Sequence, residues 1–202
     1  MRKTLIIGGI ALAAAVLLGA CSSSDSPSGM SGMPSTSAPA PAPGQQAGHN
    51  ADDIAFAQQM IPHHSQALDM AKLVPSRSTN PKVLDLASRI EKAQDPEIKT
   101  MQGWLTGWGA PASSMPASMP GMDHGMPGMM SDADMKKLEG AKGAEFDKMW
   151  LDMMIEHHQG AIDMAKTELS KGGNADAKAL AQKIIDAQQG EITEMQGLSS
   201  KS

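Results

Sequence analysis

The segments MIPHHSQALDMAK, residues 60–72, and MIEHHQGAIDMAK, residues 154–166, decide how this chain is read. Each sets two adjacent histidines among methionines, and one nearly copies the other. The copying extends well beyond them. Residues 53–103 align without a gap on 147–197, 94 positions later, and 22 of the 51 pairs are identical. Among them are Met60/Met154, His63/His157, His64/His158, Asp69/Asp163, Met70/Met164, Glu97/Glu191 and Met101/Met195. Ungapped identity at that level marks a duplicated structural unit.

Each unit reads as two helices. Asn50 can cap a helix that runs to Val74 and is stopped by Pro75. Asn80 followed by Pro81 opens the next, a favoured pairing of cap and first position. Val83, Leu86, Ile90, Ile98, Met101 and Leu105 then recur at helical spacing on one face. In the second unit a helix begins before Phe146 and ends near Gly172-Gly173. Asn174 caps another that carries Leu180, Ile184, Ile192, Met195 and Leu198. No segment alternates as a strand would. Two helical hairpins with similar apolar faces predict an all-α, four-helix bundle over residues 50–198, with repeats at 50–108 and 132–198 and a loop at 109–131.

The chemistry sits at the repeated motif. On a helix Met60 lies three and four residues before His63 and His64, and Met70 follows His63 by two turns. Met154, His157, His158 and Met164 repeat this, with Met153 added. One imidazole and one thioether can thus converge from a single helix. Adjacent histidines diverge by about 100°, so one of each pair is expected inward and the other sideways. Methionine at helical spacing also fills cores, which is the competing reading for Met101 and Met195. Two His-His pairs with methionines at the same offsets point instead to metal. Thioether is soft and selects Cu(I), while imidazole serves copper in either oxidation state. Zinc normally asks for a thiolate or carboxylate as well.

The segment MPASMPGMDHGMPGMM, residues 115–130, argues the same way. Its prolines and glycines forbid regular structure, yet it holds six methionines, Met122 and Met126 among them, together with His124. Exposed methionine offers a spacer nothing and invites oxidation. Carboxylates supply the rival chemistry. Di-iron bundles use Glu-x-x-His, whereas here methionine stands in the glutamate's place. Glu97 and Glu191 could orient a histidine or remain solvated, and the solvated reading is preferred. Asp69 and Asp163 are similarly open.

Composition bounds the rest. The 202 residues include 18 methionines, one cysteine and no tyrosine, with net charge −5. No basic cluster follows the first residues, which argues against nucleic acid as a partner. Arg2 and Lys3 precede an apolar run from Leu5 to Leu18, and Leu18-Gly19-Ala20-Cys21 resembles a bacterial lipobox. Residues 1–20 are thus expected to be a lipoprotein signal and Cys21 the lipidated residue, which anchors the chain outside the cytoplasm. Residues 21–49, rich in Ser, Pro and Gly, should tether the bundle without folding. The reach of such a tether is on the order of 30 Å.

The pattern M-x-x-H-H-x-x-A-x-x-M-A, present in both copies, resembles the bacterial family called domain of unknown function 305, over roughly residues 50–198. That resemblance implies a ferritin-like four-helix bundle and copper ligation through Met and His. It thereby implies metal-binding roles for Met60, His63, His64 and Met70, and for Met154, His157, His158 and Met164. Pro62 stands where the second copy has Glu156, so that helix should kink and the two copies are expected to differ. The expected protein is a lipid-anchored, non-enzymatic copper binder that sequesters Cu(I), or Cu(II), or hands it to a transfer partner. A cuprous or di-iron oxidase and a metal-free interaction module are the alternatives.

Overall fold

Three asparagines and a serine start the helices of this chain. In the computed structural model, which describes residues 48–112 and 126–200, Asn50 begins α1 (Ala51–Arg77) and Asn80 begins α2 (Pro81–Gly107). Ser131 begins α3 (Asp132–Gly140), and Asn174 begins α5 (Ala175–Ser199). The remaining helix, α4 (Gly143–Lys171), opens on a glycine at φ 60° and has no side-chain cap. Each capping oxygen accepts from backbone amides of the first turn, which no helical carbonyl can reach. Among the described residues the fold is entirely helical, with these five helices and no strand. The expected signal sequence, Cys21, the tether up to residue 47, Met122 and His124 all lie outside the described residues.

Two expectations need correction. Pro75 does not stop α1, which continues to Arg77. Proline removes only its own bond back to Ala71, and Ser78 N still closes on Val74 O at 2.9 Å, so the final turn survives. Pro62 lies inside α1, where the sequence placed it. The short α3 was missing from the helix pattern. Its signal is Ser131-x-x-Asp134, where Ser131 Oγ accepts from Asp134 N (3.1 Å), followed by the fully buried Leu138.

Short turns fold α1 back on α2 and α4 back on α5, and α1 packs against α4. That last packing is antiparallel, as three cross-links show in reverse order. Asp53 meets the amide of Gly173, His63 meets His157, and Trp150 Nε1 donates to Met70 O at 3.1 Å. On the other side, Arg89–Glu194 (2.6 Å) and Lys183–Glu97 (3.2 Å) join α2 to α5. Because α1 and α4 are repeat mates running in opposite directions, the two units are exchanged by a local twofold. His63 and His157 meet where it passes.

The apolar interior divides into two clusters. One holds Phe56, Met60, Met101, Trp104 and Met164. The other holds Met70, Phe146, Trp150, Met154 and Met195. Each large side chain of this kind contributes about 1.5–3 kcal/mol on burial. Each cluster mixes the repeats: Met164 from the second unit joins Met60 and Met101, while Met70 from the first joins Met154 and Met195.

Candidate metal centre

All four histidines of the repeated motif are fully buried, those turned sideways as well as those turned inward. A helix face is wide enough to bury two neighbours when it has partners on two sides. His64 and His158 turn toward the hairpin partners α2 and α5, while His63 and His157 turn toward each other. Their ring centroids are 3.7 Å apart with the planes tilted by 40°. Pro62 therefore leaves the first copy as deeply seated as the second.

Glu97 and Glu191 are not solvated, contrary to the preferred reading. His64 Nε2 bonds Glu97 Oε2 at 3.0 Å, and His158 Nε2 bonds Glu191 Oε2 at 2.7 Å. Glu97 is only 5% exposed and also holds Lys183. Burial would raise its carboxyl, but His64 and Lys183 outweigh burial and hold it below its ordinary value. His63 Nε2 donates to Pro127 O at 3.1 Å.

These partners fix the tautomers. A carbonyl or carboxylate accepts only, so Nε2 of His63, His64 and His158 carries a proton, and on the neutral rings of His63 and His64 Nδ1 keeps its lone pair. Those three Nδ1 atoms are buried without a hydrogen-bond partner, and so are both ring nitrogens of His157. Burial holds the rings of His63, His64 and His157 neutral: it drives His63 down to about 3, helped by His64. It also pushes His157 well below its usual value, helped by His63, and lowers His64 against the pull of Glu97. Neutral imidazole with an orphaned nitrogen is a poor structural element, because a buried unpaired polar group costs about 1–3 kcal/mol. It is the form in which imidazole binds metal.

Thioethers flank the histidines along α1 and α4. Met60, Met70, Met101, Met154 and Met195 are fully buried and Met164 is 8% exposed. Met126 is partly buried in the segment that reaches the histidines. Among the described residues no three His, Cys, Asp or Glu side chains converge to hold a metal ion. A soft ion here would draw on imidazole and thioether together. Asp69 and Asp163 are exposed and pair locally with Lys72 and Lys166.

Sequence reasoning missed two features. Gln94 and Gln188, identical at the repeat offset and one turn before Glu97 and Glu191, are 2% and 3% exposed. Both amide atoms of Gln94 and Oε1 of Gln188 lack partners. The second feature is a strap formed by residues 126–130. Gln66 clamps it, donating to Met130 O (2.9 Å) and accepting from Met130 N (2.8 Å). Across from Gln66 its repeat mate is Gly160, where a Cβ would overlap Pro127 O, and Gly128 adopts φ 76° against the backbone of α4. The small residue on α4 lets the strap lie close enough for Pro127 to meet His63. Gly160→Ala is therefore expected to lift the strap and cost about 1–3 kcal/mol. Amide exchange at Met130 should accelerate in that variant. Unchanged protection there would mean that the strap tolerates the methyl.

Comparison with known proteins bears on this geometry. Residues 53–199 match the family model described as Domain of unknown function (DUF305). A candidate secreted DUF305 protein from Streptomyces coelicolor is 36% identical, with TM-score 0.68, covering 74% of this chain and 93% of that one. A DUF305 fragment from Deinococcus radiodurans is 32% identical, with TM-score 0.69, covering 78% and 99%. CopM in its Cu(II)-bound form is 31% identical, with TM-score 0.65, covering 74% and 96%; CopM has also been solved in a Cu(I)-bound form. Among curated proteins, an uncharacterized protein of Acanthamoeba polyphaga mimivirus is 39% identical over 54 residues, which span 36% of its length.

Proposed function

The chain belongs to the DUF305 family, and we propose that it is an extracytoplasmic copper-binding protein that sequesters Cu(I) or hands it on without catalysing a reaction. One observation carries the reading. Four fully buried histidines present five ring nitrogens that meet no protein partner, in an interior that also holds the thioethers of Met60, Met70, Met101, Met154, Met164 and Met195. Imidazole and thioether together favour Cu(I), with Cu(II) accepted mainly by the histidines. The similarity to CopM, solved with both ions, supports the choice of metal.

In this reading the five helices build a ferritin-like four-helix bundle whose hairpins are α1–α2 and α4–α5, with α3 as an addition. The Pro127 carbonyl, Glu97 and Glu191 hold His63, His64 and His158 by Nε2 and leave Nδ1 without a protein partner. Met60, Met101 and Met164 supply thioethers on one side, and Met70, Met154 and Met195 on the other. The loop methionines, with Met122, His124 and Met126, capture ions at lower affinity before the interior takes them. Cys21, lipidated, keeps the domain at a membrane surface.

Titration of the purified chain with Cu(I), Ag(I) and Mn(II) against a competing chelator tests this. Stoichiometric Cu(I) and Ag(I) binding, at least about 100-fold tighter than Mn(II), is expected from ligand softness. Oxygen consumption driven by Cu(I) would instead indicate an oxidase. Failure to bind any of the three ions would leave an interaction module.

A further inference from the structure

A second buried polar group lies away from the histidines, where α1 begins beside the α4–α5 turn. Asp53 is fully buried and takes backbone amides from both hairpins. Its Oδ1 accepts from Gly173 N (3.0 Å) and Asn174 N (2.8 Å), and its Oδ2 accepts from Asn50 N and Gly173 N. Asn50 adds a bond from Nδ2 to Lys171 O at 2.9 Å. Against the same turn lies the carboxyl of Glu168, 1% exposed, both of whose oxygens lack a donor. Gly172, where a Cβ would overlap Glu168 Oε1, abuts that carboxyl as the adjoining Gly173 abuts Asp53 Oδ2.

Two carboxylates cannot share such a site. Asp53, loaded with amide donors, is the ionised member, so the proton belongs on Glu168, which then donates to Asp53. We propose that Asp53 and Glu168 form a proton-operated clasp that fastens the first turn of α1 to the α4–α5 turn and loosens when the proton leaves. This inference is independent of copper binding.

The charges around the pair agree. Burial, then the hydrogen bond and charge of Asp53, push Glu168 up to about 8, with Asp52 adding to the rise and Lys178 opposing it. Burial works against Asp53, yet its amide donors keep it below the ordinary value. Lys171 and Asp176, beside the turn, are exposed. The clasp is also unique to this end. At the repeat offset Glu168 corresponds to Val74, and Gly172-Gly173 to Ser78-Thr79, so the duplicated unit carries Asp147 but no second acid.

The sign follows from linkage. A carboxyl whose folded value is raised contributes stability that is full below about 4.5 and is lost as pH rises through about 8. Glu168→Gln keeps a donor to Asp53 but cannot titrate. Metal-free full-length protein and this variant should be melted from pH 5 to pH 9. The difference in melting temperature, wild type minus variant, is expected to fall by roughly 5 °C or more over that window. Parallel profiles would overturn the clasp. If the variant fails to fold, carbon-13 titration of the Glu168 carboxyl in the wild type decides. A midpoint near 8 supports the clasp, and one near the ordinary glutamate value overturns it.

Discussion

Replacing His157 by Leu is expected to weaken Cu(I) binding by at least about 100-fold, roughly 3 kcal/mol, while the metal-free protein becomes no less stable. The two effects separate because of how this residue is held. His157 is fully buried, and neither ring nitrogen has a hydrogen-bond partner. Leucine of similar bulk removes an unpaired polar group and fills the space, which should be neutral or stabilising by about 1–2 kcal/mol. His158→Leu provides the contrast. It deprives Glu191 of the histidine 2.7 Å away and should lower stability by about 1–3 kcal/mol as well as affinity. His63→Leu should resemble His157→Leu in affinity, since the two rings face each other across the local twofold. Melting curves and Cu(I) competition on the same variants test this. If His157→Leu melts early yet binds copper as before, the motif is packing and the metal reading fails.

Much of this was legible in the residues, and the parts that were not have a common cause. The helix starts at Asn50, Asn80 and Asn174 were readable because capping is local: the acceptor and the orphaned amides lie within one turn. The histidines and methionines were readable because duplication tests each position twice. What escaped depends on which helix lies beside which. Met70 shares a cluster with Met154 and Met195 rather than with Met60, because α4 runs antiparallel to α1, and no spacing within one repeat encodes that. Glu97 looked solvated because its partner His64 is 33 residues away. Pro75 misled in another way. Its penalty is one missing hydrogen bond, which the surrounding turn outweighs through the buried Val74 and the closure from Ser78. The strap is least legible of all, since its anchors Gln66 and Gly160 are repeat mates that differ.

The buried histidines should also make the metal-free protein fragile in acid. His63 is held down to about 3 and His157 well below its ordinary 6.5, first by burial and then by the neighbouring imidazoles. In the unfolded chain both titrate near 6.5. Above that pH neither state is charged and their contribution to stability is complete. Below it the unfolded chain takes up protons that the folded interior refuses, and stability falls by about 1.4 kcal/mol per histidine per pH unit. Glu168 works in the opposite direction between its folded value of about 8 and the unfolded 4.5, and offsets part of that loss. The lowered histidines outnumber it, so the net slope below pH 6.5 still runs downward, and stability should peak around that pH. The loss is a large share of an ordinary domain's total. A soft ion bound to the neutral imidazoles competes with protons for the same lone pairs, so Ag(I), used as a redox-inert probe, should move the acid midpoint lower by about one pH unit or more. His157→Leu should flatten the acid limb of the metal-free protein for the same reason that it loses the ion. Helical circular dichroism followed from pH 7 to pH 3, with and without Ag(I), reads all three effects. A metal-free protein whose stability stays level down to pH 4 would show that these rings are not excluded from protons, and the argument for their readiness to bind metal would go with it.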